Sequence, residues 1–150
     1  VINVQRNIGP MGLPLTKPPY RRITAIDLNT GEHVWQTAFG KGPANHPLLE
    51  HLNLPDLGSV FTDVSAEGGI LITEGLVISH LPQKDEINED ADGSILVAYD
   101  KLTGDKVGEV TVDRRLHGPV MSYLSGGKQY IAIAGGRFDT AEMISFALPD

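Results

Sequence analysis

Two aspartates, five histidines and two serines are the residues of this chain whose types and spacing could do chemistry. Asp27 and Asp100 could act as a general acid and base, because two carboxylates in unlike surroundings can divide the holding and taking of a proton. Each instead opens a turn, in Asp27-Leu28-Asn29-Thr30-Gly31 and Asp100-Lys101-Leu102-Thr103-Gly104. An aspartate there accepts from nearby backbone N–H groups, so capping is the expected role. The histidines are His33, His46, His51, His80 and His117. His46 and His51 stand five apart, which suits neither i,i+4 ligation on a helix nor alternation on a strand. Ser122 and Ser125 lack a G-x-S-x-G setting, and no Gly-rich cradle precedes a helix. A hydrolase and a nucleotide site are therefore unsupported.

An acidic insertion, 81–93, contains Asn88-Glu89-Asp90-Ala91-Asp92-Gly93-Ser94-Ile95. This follows the first eight places of a helix-loop-helix calcium loop. The twelfth place, which needs a bidentate Glu, is Tyr99, and the residues from Ser94 onward read as a strand. A solvated insertion is expected.

The elements that must position these residues are strands. Apolar runs at Tyr20–Leu28, Trp35–Phe39, Ser59–Val64, Gly69–Thr73, Leu76–His80, Ser94–Asp100, Val107–Val112, Pro119–Leu124, Gln129–Ala134 and Met143–Leu148 are short and bounded by turn residues. Gly40–Gly58 is a long connector in which Pro47–Leu52 could form a short helical turn. Residues 9–20, with Gly9-Pro10 and Lys17-Pro18-Pro19, read as a Pro-stiffened loop.

The turns repeat. Ala25, Asp27, Thr30 and Gly31 recur as Ala98, Asp100, Thr103 and Gly104, each pair 73 residues apart. A match in one register marks a repeat protein. Ser145 follows Ala98 by 47 residues, close to one four-stranded propeller blade of roughly 40–50 residues. The expected fold is all-β, a partial β-propeller, with blade pieces 1–40, 58–113 and 117–150. In such blades the Thr-Gly turns join the third strand to the fourth. The long loops fall on the opposite face, where function is expected. Leu116-His117-Gly118-Pro119 leads into the innermost strand of the last blade, beside the central channel. His117 there either hydrogen-bonds a ligand or solvates the rim. Ser59 and Phe61 hold the matching position of the preceding blade and have the same two readings.

Composition limits the partners. The net charge of -7 disfavours nucleic acid, because phosphate binding needs clustered Lys and Arg. With no cysteine, a disulfide, a Cys-based zinc site and a thiol nucleophile are all excluded from this segment. No run of 18 or more apolar residues is present, so no helix here is expected to cross a membrane. The chain opens within a pattern and without Met, and reads as a piece of a longer protein.

Ala25-Ile26-Asp27-Leu28-Asn29-Thr30-Gly31-Glu32-His33-Val34-Trp35 resembles the tryptophan-docking motif, A-x-D-x-x-T-G-x-x-x-W, of the quinoprotein dehydrogenases that use pyrroloquinoline quinone (PQQ). The second copy has Gly108 at the tryptophan position, so one blade–blade contact must be made differently. Gly12-Leu13-Pro14, Lys17-Pro18-Pro19-Tyr20, Asn45-His46-Pro47, Leu54-Pro55 and Gly127-Lys128-Gln129-Tyr130-Ile131-Ala132-Ile133-Ala134-Gly135-Gly136 are similar to the C-terminal part of the glucose/polyol branch. The resemblance implies about two and a half blades of an eight-bladed ring. It implies a parent that oxidises a sugar or alcohol by hydride transfer to PQQ and passes electrons to a quinone or other acceptor. It further implies a periplasmic location and Ca²⁺ beside the cofactor. The family's catalytic aspartate, its lysine helper and its Ca²⁺ ligands match no residue here. They are expected in the remaining blades of the parent, and the segment alone is expected to be inactive. Trp35 takes an inter-blade packing role, and Ser59, Phe61, His117 and Gly118 become the candidate cofactor contacts. Unpaired strand edges invite oligomerisation. The alternative is a non-catalytic propeller of the same repeat, serving protein binding or envelope assembly.

Overall fold

The computed structural model describes residues 9–60, 69–83, 93–136 and 139–147. Among them there is no α-helix, and the strands form antiparallel sheets. The chain divides into two compact units, Val1–Thr62 and Asp63–Asp150.

In the first unit β1 (Arg22–Ile26) pairs with β2 (His33–Ala38). Ala25 lies opposite Trp35 and Ile23 opposite Thr37, so these four residues share one face. The Tyr20–Leu28 run is trimmed at both ends: Tyr20 N–H donates to Leu57, and Asp27 N–H belongs to the turn. The connector folds back on the hairpin. Leu57, Gly58 and Ser59 donate backbone N–H bonds to Lys41, Gly40 and Phe39. Gly58, at φ +80°, packs so closely on the Arg21 backbone that a Cβ there would strike it. The helical turn expected at Pro47–Leu52 is a 3₁₀ turn at Glu50–Leu52, preceded by another at Gly42–Asn45.

The second unit holds a four-stranded sheet in the order β3 (Leu71–Ile72), β4 (Leu76–Pro82), β5 (Ser94–Asp100), β6 (Lys106–Val112). A three-stranded sheet follows, β7 (Leu116–Ser125), β8 (Lys128–Gly135), β9 (Glu142–Ala147). Gly126 and Gly127 both take positive φ, 60° and 79°, as the two-residue β7–β8 turn requires. The core lies between the sheets. Ile78, Leu96, Leu116, Val120 and Ile133 pack together, bordered by Ile131, Ile144 and Phe146. Leu116 and Ile133 are fully buried. β4 is buried through its middle, so burial continues over the five residues 77–81 rather than alternating, with the polar pair Ser79-His80 inside the run.

Candidate functional site

The two turns share their backbone hydrogen bonds. Gly31 N–H donates to the Asp27 carbonyl at 2.7 Å, and Gly104 N–H to that of Asp100 at 2.9 Å. Asp27 N–H closes on Glu32 and Asp100 N–H on Asp105. Asp27 Oδ1 accepts from Asn29 N–H, and Asp100 Oδ1 accepts from Leu102 and Thr103 N–H. Both hairpins then shift register after the alanine, leaving Ala25 opposite Trp35 and Ala98 opposite Gly108. The carboxylates cap local backbone, as their position before a turn predicts. The Ala98–Gly108 pair also confirms that Gly108 stands at the tryptophan position.

Ser59 lies beside Phe39, at the end of the β1–β2 hairpin away from the Asn29–Gly31 turn. Its N–H donates to the Phe39 carbonyl at 2.8 Å, and the residue is half-buried. Phe61 lies outside the described residues, as do most of the expected Ser59–Val64 strand and residues 84–92 of the acidic insertion. Leu81 and Pro82 belong to β4, and Gln83 N–H donates to Gly93 across the base of the insertion.

His117 and Gly118 sit inside β7 rather than in a loop before it. His117 pairs with Ala134, but the ladder then breaks and resumes at Met121 opposite Ala132. The break has a local cause. Gly118 takes φ +72°, and Pro119 has no N–H to give the ladder. The half-buried His117 ring donates Nε2–H to the Gly136 carbonyl at 2.9 Å, and Gly136 N–H returns to Arg115 at 2.9 Å. The carbonyl partner assigns the ring proton to Nε2. Nδ1 is then an acceptor in the neutral ring and a second donor in the imidazolium.

The other polar candidates are structural. His46 Nε2 donates to Met11 at 3.0 Å and its Nδ1 accepts from Leu48 N–H at 3.2 Å, tying two loops together. His33 and His51 are exposed. Ser122 Oγ accepts from Gln129 Nε2 at 2.8 Å. Among the described residues, no group of three or more His, Cys, Asp or Glu is arranged to hold a metal ion.

The sequence gives no role to His80 and Ser94, which are 2% and 1% exposed. His80 Nε2 donates to the Gly118 carbonyl at 3.1 Å, and Ser94 Oγ accepts from Leu116 N–H at 2.9 Å. A signal was available: Ser79-His80 interrupts Leu76-Val77-Ile78 and Leu81 in a run otherwise apolar enough for a buried strand.

Face-packed antiparallel sheets with a turn repeated in the same backbone hydrogen bonds define the class: part of a β-propeller. A family model described as PQQ glucose/ethanol/alcohol dehydrogenase, β-propeller domain, matches residues 1–131, and the chain belongs to that family. It is 32% identical, over 93% of its length, to the glycerol dehydrogenase large subunit of Gluconobacter oxydans (strain 621H). It is 29% identical, over 99% of its length, to quinoprotein glucose dehydrogenase A of Acinetobacter calcoaceticus. It is 28% identical, also over 99%, to a probable quinate dehydrogenase (quinone) of Xanthomonas campestris pv. juglandis. The chain spans 18% of the length of each of these relatives.

Proposed function

We propose that this chain is the C-terminal part of a periplasmic, PQQ-dependent dehydrogenase that oxidises a sugar or polyol of the glucose type. The observation that carries the reading is the family match over residues 1–131, which runs through both turn copies and the His117 bulge. PQQ, when bound, supplies the acceptor for a hydride leaving the substrate carbon.

This chain contributes wall and cofactor contacts. Ser59, Phe61, His117 and Gly118 are the contacts proposed. The described members suit a planar, carboxylate-bearing quinone in their chemistry: a hydroxyl, a ring nitrogen of fixed tautomer, and glycine backbone that allows close approach. The His117 ring is tied through Nε2–H to the Gly136 carbonyl, a contact made before any ligand arrives. The catalytic base and the Ca²⁺ ligands belong to the remaining blades of the parent, and electrons pass from there to a quinone or other acceptor.

The test is reconstitution of the full-length parent with PQQ and Ca²⁺, followed by dye reduction with glucose, glycerol and quinate. PQQ-dependent reduction with at least one sugar or polyol is expected. Absence of reduction across a wider panel of sugars and alcohols would sink the reading and leave a non-catalytic propeller. Residues 1–150 alone are expected to give no turnover.

A further inference from the structure

We propose that His80 and Ser94 are positioning residues: from the four-stranded sheet they clamp the bulge of β7 and set the shape of the segment carrying His117 and Gly118. The ligand half of this proposal rests on the cofactor-contact reading above, and the clamp itself rests on geometry.

The bulge cannot hold its own shape through the β7–β8 ladder. Pairing is lost between His117 and Met121, so backbone groups there need partners elsewhere. The neighbouring sheet supplies one partner inside the gap and one beside it, at Leu116, which itself pairs with Gly135. His80 Nε2 donates to the Gly118 carbonyl at 3.1 Å, and Ser94 Oγ takes Leu116 N–H at 2.9 Å. The two bonds bracket His117 on either side. Both side chains are almost wholly buried, where an unmatched polar group is costly and a matched one is directional. They stand at the same end of adjacent strands, His80 opposite Leu96 and Ser94 opposite Pro82. Among the described residues, the buried cluster between the sheets is apolar and consists of Ile78, Leu96, Leu116, Val120 and Ile133. Apolar packing holds the sheets together without specifying where a bulged carbonyl points. The two hydrogen bonds do specify it.

The test uses the full-length parent, with PQQ affinity measured by equilibrium titration and amide exchange by mass spectrometry over residues 116–118. His80→Leu keeps bulk and removes the donor, while His80→Gln restores one. For His80→Leu, faster exchange and a PQQ dissociation constant raised about tenfold are expected. His80→Gln should return the constant to within about threefold of the parent value. Ser94→Ala should speed exchange at Leu116. His80→Leu combined with His117→Ala should lose little more than the worse single variant, because the two act through one segment. Unchanged exchange and affinity in His80→Leu would overturn the proposal. If His117→Ala weakens PQQ binding and His80→Leu does not, the link from the clamp to the ligand has failed and the cofactor-contact reading stands. If His117→Ala leaves PQQ affinity unchanged while His80→Leu still speeds exchange, the cofactor-contact reading has failed and the ligand half of the proposal falls with it, while the clamp stands.

Discussion

Asp27 and Asp100 carry the same side chain in the same turn, and the second makes more of it. Asp100 Oδ1 accepts from Leu102 N–H at 2.8 Å and Thr103 N–H at 3.0 Å, where Asp27 Oδ1 accepts from Asn29 N–H at 2.7 Å. The backbone N–H groups of Thr103 first, and of Leu102 next, hold the Asp100 carboxyl below the ordinary aspartate range. The sign of the linkage follows. A carboxyl whose folded pKa is lowered gives its stabilisation above the unfolded pKa, near 3.9, and loses it as pH falls through the folded value. Amide exchange at Leu102 and Thr103, taken relative to the intrinsic rate at each pH, should therefore quicken in that acid window and stay flat above about pH 5. Asp100→Ala should quicken it already at neutral pH, and Asp100→Asn, which keeps an acceptor, should do so less. A pH-independent profile in the parent would show that the cap does not depend on charge.

The β5–β6 hairpin departs from its earlier copy at one residue. Trp35 stands opposite Ala25, and Gly108 opposite Ala98. On the Gly108 face, between the two sheets, lies a groove of about 470 Å³. Ala98, Val110, Gln129, Ile131 and Phe146 line it beside Gly108. A Cβ built on Gly108 meets nothing within 4 Å. An indole added there has both space and apolar walls. Gly108→Trp should stabilise the protein by roughly 1–3 kcal/mol, through burial and through the better strand propensity of Trp. The measurement is the denaturant midpoint at unchanged m-value. A lowered midpoint would mean that the groove is already filled by another part of the parent.

At the scale of the molecule, the described sheets have edges and an open face. β9 pairs with β8 alone. On the side of β7–β9 away from the core, Met121, Tyr123 and Met143 are 46%, 44% and 61% exposed. On that face Tyr123 stacks on Tyr130 at 5.1 Å and bonds Ser145 at 3.0 Å. An exposed apolar face beside the outer edge of a strand favours association. The 150-residue chain produced alone should self-associate, read by light scattering on a sizing column. Tyr123→Lys with Met143→Lys should reduce that association. A monodisperse monomer of the unmodified chain would refute this.

The features legible in the sequence are those made by neighbours along the chain. The two turns were readable because Asp, Thr and Gly bond within five residues of one another. The strand Ser94–Asp100 has the bounds its apolar run gives. Gly126-Gly127 marked its own hairpin turn, since few residues other than glycine accept two successive positive φ values. Boundaries shifted where a distant segment supplied the bond. Gly118 and Pro119 could announce an irregularity but not its place within β7, because the pairing of His117 with Ala134 lies seventeen residues away. The sequence by itself determined the repeat, the all-β class and the family resemblance, which are properties of local hydrogen bonding and of residue strings. Only the tertiary structure decided that His80, 38 residues from Gly118, reaches it across the sheets and that Ser94 meets Leu116. Such contacts depend on how two sheets pack, and packing leaves no mark of partner on a lone buried histidine or serine.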